Sequence, residues 1–169
     1  DGRVFVVAGT GSNSTEETLH QTKEAESLGA DACLLVTPYY NRPTQEGLYA
    51  HFKTVAETTA VPLVLYNVPG RTGCDLLPET IGRLSSIEGI VGIKEASGKI
   101  ERVSEIRSVS ASDFFILSGE DALTLEMMNN GAAGTISVTA NVLPKAMAEF
   151  CDSFLSGNIK RASLIDEVL

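Results

Sequence analysis

Six short apolar runs recur down the chain, at residues 4–7, 33–36, 63–66, 90–93, 114–117 and 135–138, and they constrain its fold more than any other feature. Runs this uniformly apolar suit parallel strands covered on both faces, whereas a half-exposed strand would alternate. The segments between them carry helical spacing. Leu48, Phe52, Val55 and Ala56 fall at i, i+4, i+7 and i+8, and Leu143, Met147, Phe150 and Phe154 at i, i+4, i+7 and i+11. Ser14 with Glu17 three positions later predicts a capping box, and Pro78 suits a first helical turn. Strand then helix, repeated at intervals of about 20–30 residues, predicts βαβ units and a right-handed parallel sheet.

Two α/β architectures accommodate that alternation: an open doubly wound sheet and a closed (β/α)₈ barrel. A dinucleotide-binding sheet would carry a complete glycine-rich loop after its first strand, and Gly9-Thr10-Gly11 is only a fragment of one. Chemically capable residues follow several strands instead, which is how a barrel delivers side chains to one mouth. The barrel is therefore the expected fold.

Composition narrows the function. The chain has 169 residues, 43% apolar and 21% charged, enough for one sizeable core. Its formal charge of −9 argues against nucleic-acid binding, which needs clustered Lys and Arg. No apolar run reaches the roughly 18 residues that span a bilayer, and the first residues do not resemble a signal peptide, so the expected location is the cytoplasm, away from membranes. Cys33, Cys74 and Cys151 lack metal-type spacing and read as reduced packing residues. His20 and His51 are expected in surface helices and form no ligand pattern.

Lys94 is the most informative single residue. It follows the apolar run Gly89-Ile90-Val91-Gly92-Ile93 and precedes the small, polar stretch Glu95-Ala96-Ser97-Gly98. An ammonium leaving a buried strand is desolvated, which disfavours its charged form and favours a nucleophilic amine able to form an imine with a carbonyl. In a parallel sheet the segments after the other strands share its end. They are Thr37-Pro38-Tyr39-Tyr40-Asn41-Arg42-Pro43, Tyr66-Asn67-Val68-Pro69-Gly70-Arg71-Thr72-Gly73, Ser118-Gly119-Glu120-Asp121 and Ser137-Val138-Thr139-Ala140-Asn141. Amine, phenols and guanidinium together suit Schiff-base chemistry on a keto acid, with a tyrosine moving protons and an arginine holding a carboxylate. Each also has a plainer role. Lys94 could be a solvated or salt-bridged group in a set of ions that includes Glu95, Arg71 and Glu120, Tyr66 a core residue, Arg71 a loop charge, and Tyr39 and Tyr40 an oligomer contact.

The combination of these segments, in this order, resembles the dihydrodipicolinate synthase family over essentially the whole chain. The family is a (β/α)₈ barrel with a C-terminal helical domain, a pyruvate-dependent aldolase type, usually a tetramer of two tight dimers. The resemblance implies that Lys94 captures pyruvate as a Schiff base, that Tyr66 relays protons, and that Tyr40 reaches across the tight-dimer interface. It implies that Arg71 binds the carboxylate of aspartate semialdehyde and that Gly119 and Ile136 line the pocket. In members inhibited by lysine, Asn13, Glu17 and Tyr39 match positions at the effector site. No metal or organic cofactor is implied, because the lysine amine supplies the electron sink.

Against that family the chain opens, without Met, at what would be the third strand and stops within a helical pattern near the end of the eighth unit. Residues 1–169 are thus expected to be a partial barrel domain without the first two β/α units or the helical domain. Missing with those units is a Gly-Thr-Thr-Gly-Glu type segment that links the two tyrosines. The isolated piece is expected to expose two long apolar sheet edges, to fold poorly and to be inactive. The rival readings are an N-acetylneuraminate lyase or sugar-acid aldolase of the same superfamily, which share Lys94 and Tyr66, and a non-catalytic barrel fragment.

Overall fold

A computed structural model describes residues 2–169; Asp1 lies outside the described residues. The six apolar runs pair in chain order into one parallel sheet of β1 (Val7–Gly9), β2 (Ala32–Val36), β3 (Leu63–Asn67), β4 (Ile90–Glu95), β5 (Phe115–Ser118) and β6 (Gly134–Thr135). Helices α1 (Thr15–Ser27) and α2 (Gln45–Ala56) follow β1 and β2, while α3 (Pro69–Thr72) and α4 (Pro78–Leu84) follow β3. Next come α5 (Glu101–Val109) after β4, α6 (Thr124–Asn129) after β5, and α7 (Pro144–Leu155) with α8 (Ile159–Asp166) after β6. Pro78 opens α4 and Pro144 opens α7, where a missing N–H costs nothing. No helix is long and apolar enough to cross a membrane among the described residues.

The helices cover one face of the sheet. Cys33, Leu35, Leu63, Leu65, Ile93 and Ile116 point to that face, are 0% exposed, and join Leu48, Phe52 and Val55 of α2 in a single core. Each such aliphatic side chain stabilises the fold by about 1.5–3 kcal/mol through burial alone. The opposite, open face carries Leu34, Val36, Tyr66, Phe115 and Leu117, which are only half-buried.

One irregularity sets which residues reach the open face. Leu63 pairs with Ile90 but Val64 pairs with Gly92, so Val91 is an extra residue in β4. A strand's side chains alternate, and a one-residue insertion reverses their parity. Ile90 therefore joins the helix-side core, while Gly92 and Lys94 turn to the open face and Ile93 and Glu95 away from it.

Several expectations need correction. The first strand begins at Val7, not Val4, because Asp31 claims Val6: its carboxylate accepts the Val6 N–H at 2.8 Å and its own N–H donates to the Val6 carbonyl. Val4 and Phe5 stay 77% and 84% exposed. The last strand ends at Thr135, since Asp121 and Ser137 accept the N–H groups of Thr139 and Ala140 and bend the chain into a 3-10 turn. The sheet edges are thus short rather than long. Leu143 is an exposed residue preceding α7 rather than part of its buried stripe, which begins at Met147. The capping box is half-formed: Ser14 accepts the Glu17 N–H, but the Glu17 carboxylate takes the Ser12 hydroxyl instead of the Ser14 N–H.

His51 is buried, not on the surface. It lies on the packed side of α2 with its Nδ1 2.8 Å from the Thr15 hydroxyl, and burial lowers its pKa from 6.5 to about 4. The unfolded chain therefore binds a proton near pH 6.5 that the folded chain refuses until about pH 4. Stability is complete above pH 6.5 and falls as the pH drops toward 4, by roughly 3 kcal/mol in total. Urea midpoints across that range should follow this slope, and His51→Leu should flatten it.

Gly11 has a steric role. A Cβ there would meet the Val36 backbone nitrogen at 2.3 Å, and backbone in a paired strand cannot move aside. Gly11→Ala should destabilise the protein by about 1–3 kcal/mol, read as a lower urea midpoint at unchanged slope.

Candidate active site

Lys94 and Tyr66 are register partners on neighbouring strands, with the Lys94 Nζ 4.4 Å from the centre of the Tyr66 ring. Lys94 is only 9% exposed. Burial lowers its pKa, Asp121 opposes that shift and Arg71 adds to it. The ring face favours an ammonium by about 0.5–2 kcal/mol, yet the balance still runs toward the neutral amine. Burial raises the Tyr66 pKa, with Arg71 opposing and Glu120 reinforcing, so the phenol keeps its proton at neutral pH. A desolvated amine thus lies against the ring of a phenol that keeps its proton, two groups that carbonyl capture can use.

Gly119 and Ile136 follow β5 and β6 at the same end of the sheet. Gly119 follows β5, and a Cβ on it would meet the Ala96 Cβ at 2.7 Å and the Lys94 Cε at 2.9 Å. Its lack of a side chain is what lets the lysine arm lie flat. Ile136 extends the ladder beyond β6 by donating its N–H to the Ser118 carbonyl at 2.9 Å.

The loops after β1, β2 and β3 are sewn together at this end of the sheet. Tyr40 donates its N–H to the Thr72 carbonyl at 3.2 Å, and the Asn41 amide donates to the Asn13 carbonyl at 2.9 Å. The Thr37 hydroxyl reaches Thr72 at 3.4 Å. Helix α3 is a single turn that starts at Pro69 and stops at Gly73, whose φ of 69° ends it in the left-handed region. That turn carries Arg71. Tyr39, Tyr40, Arg42, Gly70, Arg71 and Thr72 line a cleft of about 650 Å³. Tyr40 stands 89% exposed on a left-handed backbone, so its ring projects outward instead of packing on Tyr66. Glu17 lies in the first turn of α1, bonded to Ser12 and Gln21.

The proposed site residues therefore fall into two groups. Lys94, Tyr66, Gly119 and Ile136 are on the walls around the open face, with Arg71 close enough to act on the charge of both Lys94 and Tyr66. Asn13, Tyr39 and Tyr40 lie together on the sewn loops, with Glu17 one turn into α1. Glu95 is not an ion partner of Lys94. Alternation turns it to the helix-covered side, where it is 1% exposed.

Two features escaped sequence reasoning. Asp121, whose carboxylate accepts the Thr139 N–H at 2.7 Å, is the acid that acts on Lys94. Neighbouring Glu120 and Asp121 are equivalent in sequence, and only the turn after β5 selects between them. The second is a polar network of Glu95, Asn67, Asp75 and Arg102 behind the strands. Its signal was the polar residues following Tyr66 and Lys94, but their partners lie far along the chain. Arg102 is 4% exposed and binds the half-buried Asp75 through two 3.0 Å bonds. No group of three His, Cys, Asp or Glu side chains is placed to hold a metal among the described residues.

Comparison with known proteins agrees with this fold. The model of the dihydrodipicolinate synthetase family matches residues 1–169. The chain is 55% identical over 168 residues to 4-hydroxy-tetrahydrodipicolinate synthase of Methylococcus capsulatus, covering 99% of this chain and 58% of that protein. Dihydrodipicolinate synthase of Aquifex aeolicus superimposes with a TM-score of 0.97 at 46% identity, over 99% of this chain and 58% of that one. The chloride-inhibited enzyme of Acinetobacter baumannii, complexed with pyruvate, superimposes with a TM-score of 0.95 at 49% identity, over 98% of this chain and 57% of that one. The chain thus spans 58% of the length of the M. capsulatus relative. Its curled parallel sheet is barrel-like, and the chain belongs to the dihydrodipicolinate synthetase family.

Proposed function

We propose that this chain carries the reactive lysine of an enzyme that condenses pyruvate with L-aspartate semialdehyde to give 4-hydroxy-tetrahydrodipicolinate, in the cytoplasmic route to diaminopimelate and lysine. The observation that carries this reading is the Lys94 amine, buried at the open end of β4 and 4.4 Å from the Tyr66 ring. In this reading the neutral amine attacks the pyruvate carbonyl and water leaves as the imine forms, with Tyr66 moving protons. Loss of a methyl proton gives an enamine. Its carbon attacks the aldehyde, and the substrate's own amino group then closes the ring and releases Lys94.

Arg71 is the group suited to hold the semialdehyde carboxylate, since a guanidinium binds a carboxylate through two parallel bonds. Gly119 and Ile136 shape the wall against which pyruvate would lie. The six units correspond, in our reading, to the third through eighth of a (β/α)₈ barrel, the remainder and a helical domain belonging to a longer chain. Tyr40 would reach into a neighbouring subunit within a tight dimer, two of which form the tetramer. Asn13, Glu17 and Tyr39 would line a lysine-effector site at that interface.

In the full-length protein, pyruvate followed by borohydride should leave one reduced adduct on Lys94, located by peptide mass spectrometry. Lys94→Arg should abolish it, and Tyr66→Phe should slow turnover by about 10²–10⁴-fold. A wild-type protein that forms no adduct, or that consumes N-acetylneuraminate in preference to aspartate semialdehyde, would contradict the proposal.

Gly119→Ala tests the wall. The added Cβ must displace the Lys94 arm, and a shift of about 1 Å should lower kcat about a hundredfold. Rapid-quench measurement of pyruvate trapping is the check.

A further inference from the structure

The ends of β3 and β4 carry two side-by-side pairs, and only one lies on the open face. Tyr66 is the register partner of Lys94, and Asn67 is the register partner of Glu95. Alternation sends the second pair to the helix-covered side, where Asn67 and Glu95 are 0% and 1% exposed. Polar groups this deeply buried persist only when fully bonded. Here Asn67 Nδ2 donates to Glu95 Oε2 at 3.0 Å and to Asp75 Oδ1 at 2.9 Å, while its Oδ1 accepts the Leu76 N–H at 3.0 Å. The other Glu95 oxygen accepts the Ser97 N–H at 2.6 Å. Both donors and the oxygen of the Asn67 amide are used to join β4, β3 and the segment leading into α4.

We propose that Asn67 and Glu95 are positioning residues that hold the Lys94 amine against Tyr66. The proposal rests on the imine-forming reading of Lys94. A residue within a strand cannot turn about the chain without turning its neighbours. Fixing the Asn67 and Glu95 side chains behind the sheet therefore fixes the directions of Tyr66 and Lys94 in front of it. The backbone of the same two residues extends the control. The Asn67 carbonyl accepts the Ala96 N–H at 2.9 Å, and the Glu95 carbonyl accepts the Gly119 N–H at 2.8 Å, so a rotation of Glu95 also moves the glycine on which the lysine arm rests. A purely stabilising role is already filled by the Asp75 and Arg102 pair. Asn67 differs from it in joining Glu95, the residue next to Lys94, to Asp75 through the two protons of one amide.

The test uses the full-length protein. Wild type is first treated with pyruvate and borohydride; absence of a Lys94 adduct there overturns the imine reading itself, whatever the variants do. With the adduct present, a folded Asn67→Leu should form it about tenfold or more slowly, with kcat lowered in parallel and KM for the aldehyde held within about twofold. The acid limb of its kcat/KM profile should move, reporting a changed lysine environment. A folded variant with wild-type trapping rate and pH profile overturns the proposal, and so does one that loses KM and kcat together with no movement of the acid limb. Should Asn67→Leu fail to fold, Glu95→Gln decides. Its side-chain oxygen can satisfy only one of Ser97 and Asn67, so slower trapping at unchanged urea midpoint supports positioning, and an unchanged rate overturns it.

Discussion

The parity of β4 governs this structure. One extra residue at Val91 lets a strand that begins with Ile90 in the helix-side core end with Lys94 on the open face and Glu95 behind it. Were Val91 paired as a regular strand residue instead, alternation from Ile90 would present Glu95 to the open face and turn an ammonium into the apolar layer on the helix side. An ammonium there would be buried without compensation, at several kcal/mol. The bulge is thus the small local change on which core packing and the chemistry of the open face both depend.

From that placement the electrostatics follow. Lys94 sits where burial and Arg71 oppose its charge while Asp121 favours it. Burial leads this balance, so the amine is eased toward its neutral form without losing an acidic neighbour that can steady a transient cation. Glu95 meets the reverse problem. Burial pushes its pKa up, and the Ser97 and Asn67 bonds pull the other way. Buried polar contacts of this sort contribute less to stability than apolar packing of equal volume, but they admit one arrangement only, which is what a reacting pair of side chains needs.

Much of this was legible in the sequence, for a physical reason. The strands are apolar on both faces, although helices cover only one of them, and four of the six runs coincide with β2 to β5 to within two residues. The runs at the two ends misled because a strand also needs a neighbour to bond. At Val4 the chain is apolar, yet Asp31 captures the Val6 backbone; at Ser137 the Asp121 carboxylate bends the chain away. Lys94, Tyr66 and Gly119 were readable since parallel topology alone sends strand ends to one side of the sheet. The Asn67 network and the selection of Asp121 over Glu120 were not readable. They depend on side chains from separate elements meeting within about 3 Å, which no periodicity encodes. His51 failed for a similar reason: a lone histidine on a helix gives no sign of which way it faces until α1 packs against α2.

The loop after β2 raises a different energetic question. Tyr40 and Arg42 both adopt left-handed backbone, at φ 71° and 46°, and each such non-glycine residue costs about 1–2 kcal/mol. Hydrogen bonds from Tyr40 and Asn41 to Thr72 and Asn13 offset part of that cost. Yet the outcome is a large aromatic ring held 89% in water, which a chain selected only for its own stability has no reason to maintain. Strain that projects an amphipathic side chain outward from three interlocked loops favours the side chain's being met by another surface. The phenol would then bring a hydroxyl to a site beyond its own subunit, at a point where the backbone has already fixed its direction. That is why the proposed dimer contact and the proposed proton relay are, at Tyr40, one physical requirement rather than two.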